Sequence, residues 1–370
     1  MKNIARQLNK LKTLLIKASE HKNYPRQIYE IIQHKVVINV NPLDYYFNEF
    51  YKEGRTLEQK SRYVILGGSR YWPYENTPFK FTITLSNKYI QKTLLNGFGL
   101  PTPRLLTVIG DDYDIQTRDQ FNHFLDGNTR DIVMKPVSSA MGRNILVAAK
   151  REYKYFLADK SVTYDDLWRH VSRDMKSGHL IEEKIVNPSS IAEINPSCLN
   201  TYRVITIKTN DNKWHFATCS AKFGRAGSFV DNAMAGGILA GLDSTGKIIN
   251  AYDNLYSQSI THHPDTGAQL VGITLEGYQQ VKELALEASR KFSFMGTIGW
   301  DIAYTDKGAM IIEGNTSYSG QLMQLGRDGM ITDEIAKGLR QHHIFGRWDK
   351  TRLYPGWARK PWWSWKRYIN

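Results

Sequence analysis

The sequence predicts an α+β fold, with a small N-terminal α/β region ahead of two strand-rich lobes. Three stretches carry that expectation. Gly299–Asn315, GWDIAYTDKGAMIIEGN, reads as a hairpin whose strands are Trp300–Tyr304 and Ala309–Glu313 and whose turn is Thr305-Asp306-Lys307-Gly308. Met134–Arg143 sets a lysine at the end of an apolar strand, before a loop of small residues. Tyr202–Lys208 and His215–Ala221 alternate on either side of the polar turn Asn210-Asp211-Asn212, as antiparallel strands do.

The elements follow in order. Residues 1–35 read as helical, with Leu8, Leu11, Leu14 and Leu15 at amphipathic spacing rather than in the continuous apolar core of a signal peptide. Val36–Val40 and Tyr63–Leu66 are candidate strands. Lys88–Gly97 is a helix that ends at the Gly97/Gly99 pair, and Leu100-Pro101-Thr102-Pro103 launches an extended segment from Arg104 to Ile109. Ile132–Lys135 is a strand, Pro136–Arg143 a loop, and Ile145–Ala149 its hairpin partner. Leu167–Lys176 is helical and His179–Val186 returns as a strand. Leu275–Phe292 is a long amphipathic helix leading into the final hairpin.

Composition narrows the class. A chain of 370 residues with 41% hydrophobic content buries a substantial core and suggests two domains or one multi-lobed unit. Cys198 and Cys219 are its only cysteines, so no disulfide framework is implied and a reducing, cytoplasmic setting fits. No run of about 18 apolar residues is present to span a membrane. The formal net charge of +13 suits nucleic acid, anionic lipid or polyanionic substrates, but no nucleic-acid motif accompanies it. The C-terminal stretch Arg347–Asn370 holds five of the nine tryptophans among Arg and Lys. That composition fits peripheral contact with a membrane and equally a tail packed on the fold. Pro355 and Pro361 argue against one continuous helix there.

Candidate chemistry concentrates at strand ends. Glu313 and Asn315 share one face of their strand, and Asp301 lies near them on the partner strand, in a register set by the turn. Two carboxylates and an amide suit a hard cation shared with phosphates, though two solvated acids and a turn-forming Asn give the same pattern. Lys135 and the loop Ser138-Ser139-Ala140-Met141-Gly142 suit phosphate oxygens, through an ammonium and backbone N–H groups. The loop is neither GxxxxGK[ST] nor GxGxxG. The strand Ile181-Glu182-Glu183-Lys184-Ile185 can offer backbone to an adenine edge and a carboxylate to a ribose, or be a charged edge strand. Arg203, Lys222 and Arg225 stand at strand ends, where cations can clamp a transferring phosphoryl group. His262 and His263 are adjacent and so face opposite ways on a strand, which argues against a joint zinc site.

Taken in order, these pieces resemble the ATP-grasp superfamily. Lys88 precedes a glycine-bearing helix end and Pro-Thr-Pro, Lys135 precedes a small-residue loop, Glu182-Glu183 lies in an apolar strand, and Asp301 precedes Glu313 and Asn315. NTYRVITI (Asn200–Ile207), HPDTG (His263–Gly267), IGWDIAYTDKGAMIIEGN and Gln321 resemble the sugar-transfer-associated ATP-grasp group, whereas Ile273–Tyr278 departs from its Pro-x-Trp. The resemblance covers roughly residues 85–330. It implies ATP held between two α+β lobes. Lys88 and Lys135 would contact phosphates, and Ser138, Ser139 and Gly142 would close over them. Glu182, Glu183, Lys184 and Ile185 would line the adenine, mostly through backbone. Asp301, Glu313 and Asn315 would hold one or two Mg²⁺, and Arg203, Lys222 and Arg225 would steady the γ-phosphate or the acceptor. The implied units are 1–85, 86–186, 187–340 and the tail 341–370. The implied reaction is ADP-forming ligation of a small-molecule carboxylate to an amine through an acyl phosphate, in the making of a cell-surface sugar or peptide-like metabolite. A kinase on the same fold and a non-catalytic nucleotide-binding module are the alternatives. The oligomeric state is left open.

Overall fold

The computed structural model describes residues 15–339, except 17, 39, 41, 66–72, 75, 140–141, 233–235, 254–257, 321 and 325–327. Leu8, Leu11 and Leu14, Gln321 and the Trp-rich tail lie outside the described residues.

The described residues ahead of Lys88 are helical and contain no strand, which corrects the expected α/β character of this region. Helices α1 (Tyr24–Ile38), α2 (Pro42–Phe47) and α3 (Leu57–Ser61) surround an aromatic core of Tyr45, Tyr46, Phe50, Tyr51 and Tyr63. Val36 and Val37 belong to the last turn of α1 rather than to a strand. Their β-branching favours strands, but the tertiary setting overrides that preference. Tyr63–Ile65 forms no strand either, and Leu66 is outside the described residues. A side chain satisfies this backbone instead: Gln324 accepts from the N–H of Val64 at 2.8 Å and donates to its carbonyl at 2.9 Å.

Helix α4 (Ile83–Ser86) leads into α5 (Lys88–Gly97), which starts where Asn87 accepts a hydrogen bond from the N–H of Ile90. It ends at Gly97, and Gly99, two residues on, turns the chain away with a φ of +69° that favours glycine.

The first sheet has six strands: β1 (Leu105–Ile109), β2 (Ile132–Pro136), β3 (Leu146–Arg151), β4 (Lys154–Leu157), β5 (Lys160–Val162) and β6 (His179–Glu183). Their order is β1-β6-β2-β3-β4-β5. Helices α6 (Arg118–Gly127) and α7 (Tyr164–Val171) cover one face through Phe121, Leu125, Leu167 and Val171. The helix expected from Leu167 starts three residues earlier, because Thr163 and Asp166 form a capping box. The strand expected to reach Val186 ends at Glu183.

The second sheet has seven strands, β11-β10-β9-β8-β7-β12-β13 in order. They are β7 (Thr201–Lys208), β8 (Trp214–Phe223), β9 (Ile238–Leu242), β10 (Ile248–Asp253), β11 (Gln258–Ile260), β12 (Thr297–Thr305) and β13 (Gly308–Asn315). After the short α8 (Ser189–Ala192), the long α9 (Tyr278–Lys291) packs Leu284, Ala285 and Ala288 into the core around Trp300. Helix α9 begins after Gly277 in a left-handed conformation, three residues later than the apolar period suggested. The opposite face is covered by Tyr318, Leu322, Met330 and α10 (Asp333–Gly338), with Val64 from the N-terminal region packed among them.

Candidate active site

One cavity of about 610 Å³ is lined by residues of both sheets. The first contributes Val133, Lys135, Val147, Glu182 and Glu183, with Ile145 just before β3 and Lys184–Val186 beyond β6. The second contributes Thr201, Arg203, Lys222, Asp301, Ile312 and Glu313. Lys88, Ser139 and Gly142 line it as well.

The final hairpin explains how the acids meet. Its turn tightens to Asp306-Lys307, Thr305 pairs with Gly308, and a register shift after Asp301 places Asp301 directly opposite Glu313. Opposed residues bring their Cβ atoms to about 5 Å. Asn315 lies on the same face and donates from Nδ2 to Glu313 Oε1 at 3.3 Å.

Asp301 is buried beneath two cations. Arg203, its neighbour on β7, forms a bidentate pair with it, Nη2 to Oδ2 at 2.7 Å. Lys222 Nζ lies 3.1 Å from Asp301 Oδ2 and 3.3 Å from Asp231 Oδ1. Burial opposes ionisation of Asp301, but Arg203 and Lys222 outweigh it and hold the carboxyl well below the usual range. Burial raises the Asp231 carboxyl, Lys222 pulls it down and the Asp301 charge pushes it up, for a net rise. Asp231 also accepts from the Thr201 hydroxyl.

Lys88 opens α5. Its N–H donates to the Val137 carbonyl at 3.0 Å. Its ammonium donates to the Ser139 carbonyl at 2.6 Å and stands 3.6 Å from Glu313 Oε2. One lysine therefore joins the small-residue loop to the acidic hairpin. Lys135 pairs with Glu182, whose other oxygen lies 2.5 Å from Lys92 Nζ. Glu182 is 2% exposed, so its carboxylate serves this buried triad and not a ribose. Burial opposes its ionisation, and the two lysines outweigh that. The Glu183 carboxylate turns toward Arg130 at 3.5 Å, and Lys184 Nζ lies 3.4 Å from Asp131. The N–H groups of Glu183 and Lys184 bond to the carbonyls of Arg104 and Asp131.

Three expected residues stand apart from the cavity lining. Ser138 and Asn315 adjoin residues that do line it. Arg225 is farther removed, its guanidinium held by Asp253 at 2.9 Å and Asp265 at 2.7 Å. Asp265 belongs to HPDTG, and His263 of the same motif bonds through Nε2 to the Gly224 carbonyl at 2.9 Å. The motif thus ties down the end of β8. Among the described residues no three His, Cys, Asp or Glu side chains gather where they could hold a metal ion.

Gln91 and Lys92 were not among the residues singled out by sequence. Both lie one turn beyond Lys88 on α5, and that i+3, i+4 spacing was the available signal. Gln91 accepts from the N–H of Gly314 at 3.0 Å and donates to its carbonyl at 2.8 Å, so α5 is bonded directly to the strand that carries Glu313.

Two antiparallel sheets with a cation- and acid-lined cleft between them match the architecture of an ATP-grasp protein. The family described as sugar-transfer associated ATP-grasp matches residues 69–337, and the chain belongs to that family. A comparison with curated proteins finds no match. Among solved structures, an L-amino acid ligase from Bacillus licheniformis is 14% identical over 66% of this chain and 43% of its own, with a TM-score of 0.38. The VanG D-Ala:D-Ser ligase of Enterococcus faecalis is 13% identical over 68% and 61%, with a TM-score of 0.41. An N5-carboxyaminoimidazole synthase from Aspergillus clavatus, in complex with ADP and 5-aminoimidazole ribonucleotide, is 13% identical over 66% and 48%, with a TM-score of 0.40. The chain spans about half the length of the first two solved structures it matches.

Proposed function

We propose that this protein is an ATP-dependent, ADP-forming carboxylate–amine ligase. The observation that carries the reading is the opposition of Asp301 and Glu313 beside Arg203, Lys222 and Lys88, in a cleft whose other wall is an apolar strand end. An adenine fits between Val133, Val147 and Ile312. Because the N–H groups of Glu183 and Lys184 are engaged, the backbone of Ile185 and Val186 is what meets its polar edge.

Lys88, Lys135 and the Ser139–Gly142 loop take the phosphates. Asp301 and Glu313, with the Asn315 amide oxygen, would hold one or two Mg²⁺, which would supply charge neutralisation on the transferring phosphate. Two carboxylates and an amide are oxygen donors of the kind that would suit a hard cation shared with phosphates. Arg203 and Lys222 are placed to hold the equatorial oxygens as charge spreads over them.

A substrate carboxylate oxygen attacks the γ-phosphorus and ADP leaves, giving an acyl phosphate. The amine attacks the acyl carbon, inorganic phosphate leaves and the nitrogen loses a proton. No enzyme nucleophile is required. Cys198 lines the cavity, but burial, reinforced by Asp231, pushes its thiol up to about 12, so it stays protonated. The sugar-transfer association of the family supports a product among cell-surface sugar or peptide-like metabolites.

The deciding experiment is turnover of ATP with Mg²⁺ against pooled carboxylates and amines, read by nucleotide product and by mass. ADP with a condensed product supports the ligase. ADP with a stable phosphorylated product replaces it with the kinase reading, and AMP excludes the acyl-phosphate route. Tight ATP binding without turnover across the pools favours a nucleotide-binding module.

A further inference from the structure

Helix α1 is inverted relative to an ordinary surface helix. Its buried residues are Gln27, Glu30, His34 and Ile38. Its exposed face carries Tyr24, Ile28, Tyr29, Ile32, Val36 and Val37, with Ile28 58% and Ile32 59% exposed. Ile28, Ile32 and Val36 recur every four residues and form one stripe.

The inward Glu30 and Gln27 are hydrogen-bonded, and His34 bonds through Nδ1 to the Glu30 carbonyl while its Nε2 has no partner among the described residues, so the polar network fixes this orientation. Glu30 Oε1 accepts from Lys22 at 2.7 Å and Arg26 at 3.1 Å, and Oε2 accepts from the Tyr45 hydroxyl at 2.8 Å. Gln27 accepts from the Tyr46 hydroxyl at 3.0 Å and donates to the Lys22 carbonyl at 2.6 Å. Rolling the helix to hide its isoleucines would break this network. A contiguous exposed apolar face of this kind marks an interaction surface.

Charge selects the partner. Glu30 is the only acid in α1 and is turned inward, so the outward charges are those of Arg26 and Lys35. The preceding 23 residues hold six Lys or Arg against one Glu, and the whole chain carries +13. Two copies of such a chain repel one another, whereas an anionic bilayer attracts it. Tyrosines beside aliphatic side chains and flanking cations suit the boundary between headgroups and acyl chains. We propose that the outer face of α1 docks on an anionic lipid surface, with the isoleucine stripe in the acyl boundary and Arg26 and Lys35 among the headgroups.

The test is co-sedimentation of the full chain with vesicles of phosphatidylcholine alone or mixed with phosphatidylglycerol, for wild type and for I28Q/I32Q. Both proteins keep the same C-terminal tail, so their difference reports α1. The expected result is wild-type binding to the anionic vesicles, weakened by salt, and a loss on the order of tenfold or more in the double variant. An unchanged unfolding midpoint shows that the fold persists, because both side chains already face solvent. Equal binding by the two proteins, or no wild-type binding to anionic vesicles, overturns the proposal. Self-association of wild type that the variant abolishes, without vesicle binding, replaces the bilayer with a second copy.

Discussion

Asp301 and Glu313 face each other, yet their surroundings make them unequal targets for substitution. Asp301 is buried and neutralises Arg203 and Lys222. Asp301→Asn therefore strands two buried cations and costs about 3–5 kcal/mol of stability, which confounds any loss of activity. Glu313 is 29% exposed, and its ion pair with Lys88 is 3.6 Å long. Its neutral isostere should cost less than about 1 kcal/mol. Glu313→Gln should leave the unfolding midpoint nearly in place and lower Mg-dependent ATP turnover by about 10²–10³-fold, the usual penalty for removing one transition-state electrostatic partner. Turnover at the wild-type rate in that variant would remove the hairpin from the chemistry.

Elements are joined here by single side chains that substitute for strand pairing. Gln91 bonds both backbone groups of Gly314 and thereby sets the distance between Lys88 on α5 and Glu313 on β13. Gln91→Leu leaves a buried N–H and a buried C=O without partners, so it should destabilise by roughly 2–4 kcal/mol in denaturant unfolding. It should also depress turnover although it touches no substrate; a stability loss with unchanged kcat and KM would show that the clamp is structural alone. The first sheet has its own marker in His179, at the start of β6, whose Nδ1 finds no hydrogen-bond partner among the described residues. Burial, aided by the adjacent His170, depresses it from 6.5 to about 4. The unfolded chain takes up this proton more readily, so the contribution is complete above pH 6.5 and is lost as pH falls toward 4. Its size is on the order of 3 kcal/mol. Urea midpoints at pH 7 and pH 4.5 should converge more closely in His179→Gln than in wild type. Such links explain what the sequence shows and what it hides. Helix α5 was legible from Asn87 and its glycines, and the final hairpin from alternation around a polar turn, because both signals are local. Strand β9 was missed because Ile238–Leu242 is wholly buried and shows no period-two pattern. The Gln91 clamp and the Lys92–Glu182–Lys135 triad join residues up to 223 positions apart, a distance at which no spacing rule applies. The pairing of Arg225 with Asp253 and Asp265 was hidden for the same reason, since both lie on other segments.

At the scale of the whole molecule, the cleft divides the groups proposed to handle phosphate between the two sheets. A nucleotide seated there touches both, so it resists their separation and raises global stability by mass action. Mg-ATP at a hundredfold excess over Kd should add about 2.7 kcal/mol. Lys135 gives a way to test this across the cleft, because it stands on β2 while the acids stand on β12 and β13. Lys135→Ala also removes one cation from Glu182, so the unliganded variant is expected to start from a lower midpoint. That offset cancels when only the ligand-induced difference is compared. If Lys135 holds a phosphate, a tenfold loss of affinity cuts the increment at the same ATP concentration to about 1.4 kcal/mol. Dye-monitored unfolding of both proteins, with and without Mg-ATP, measures this difference directly. An increment in the variant equal to that of wild type would take Lys135 out of the nucleotide site, and the first sheet would then be a wall of the cleft with no part in binding the triphosphate.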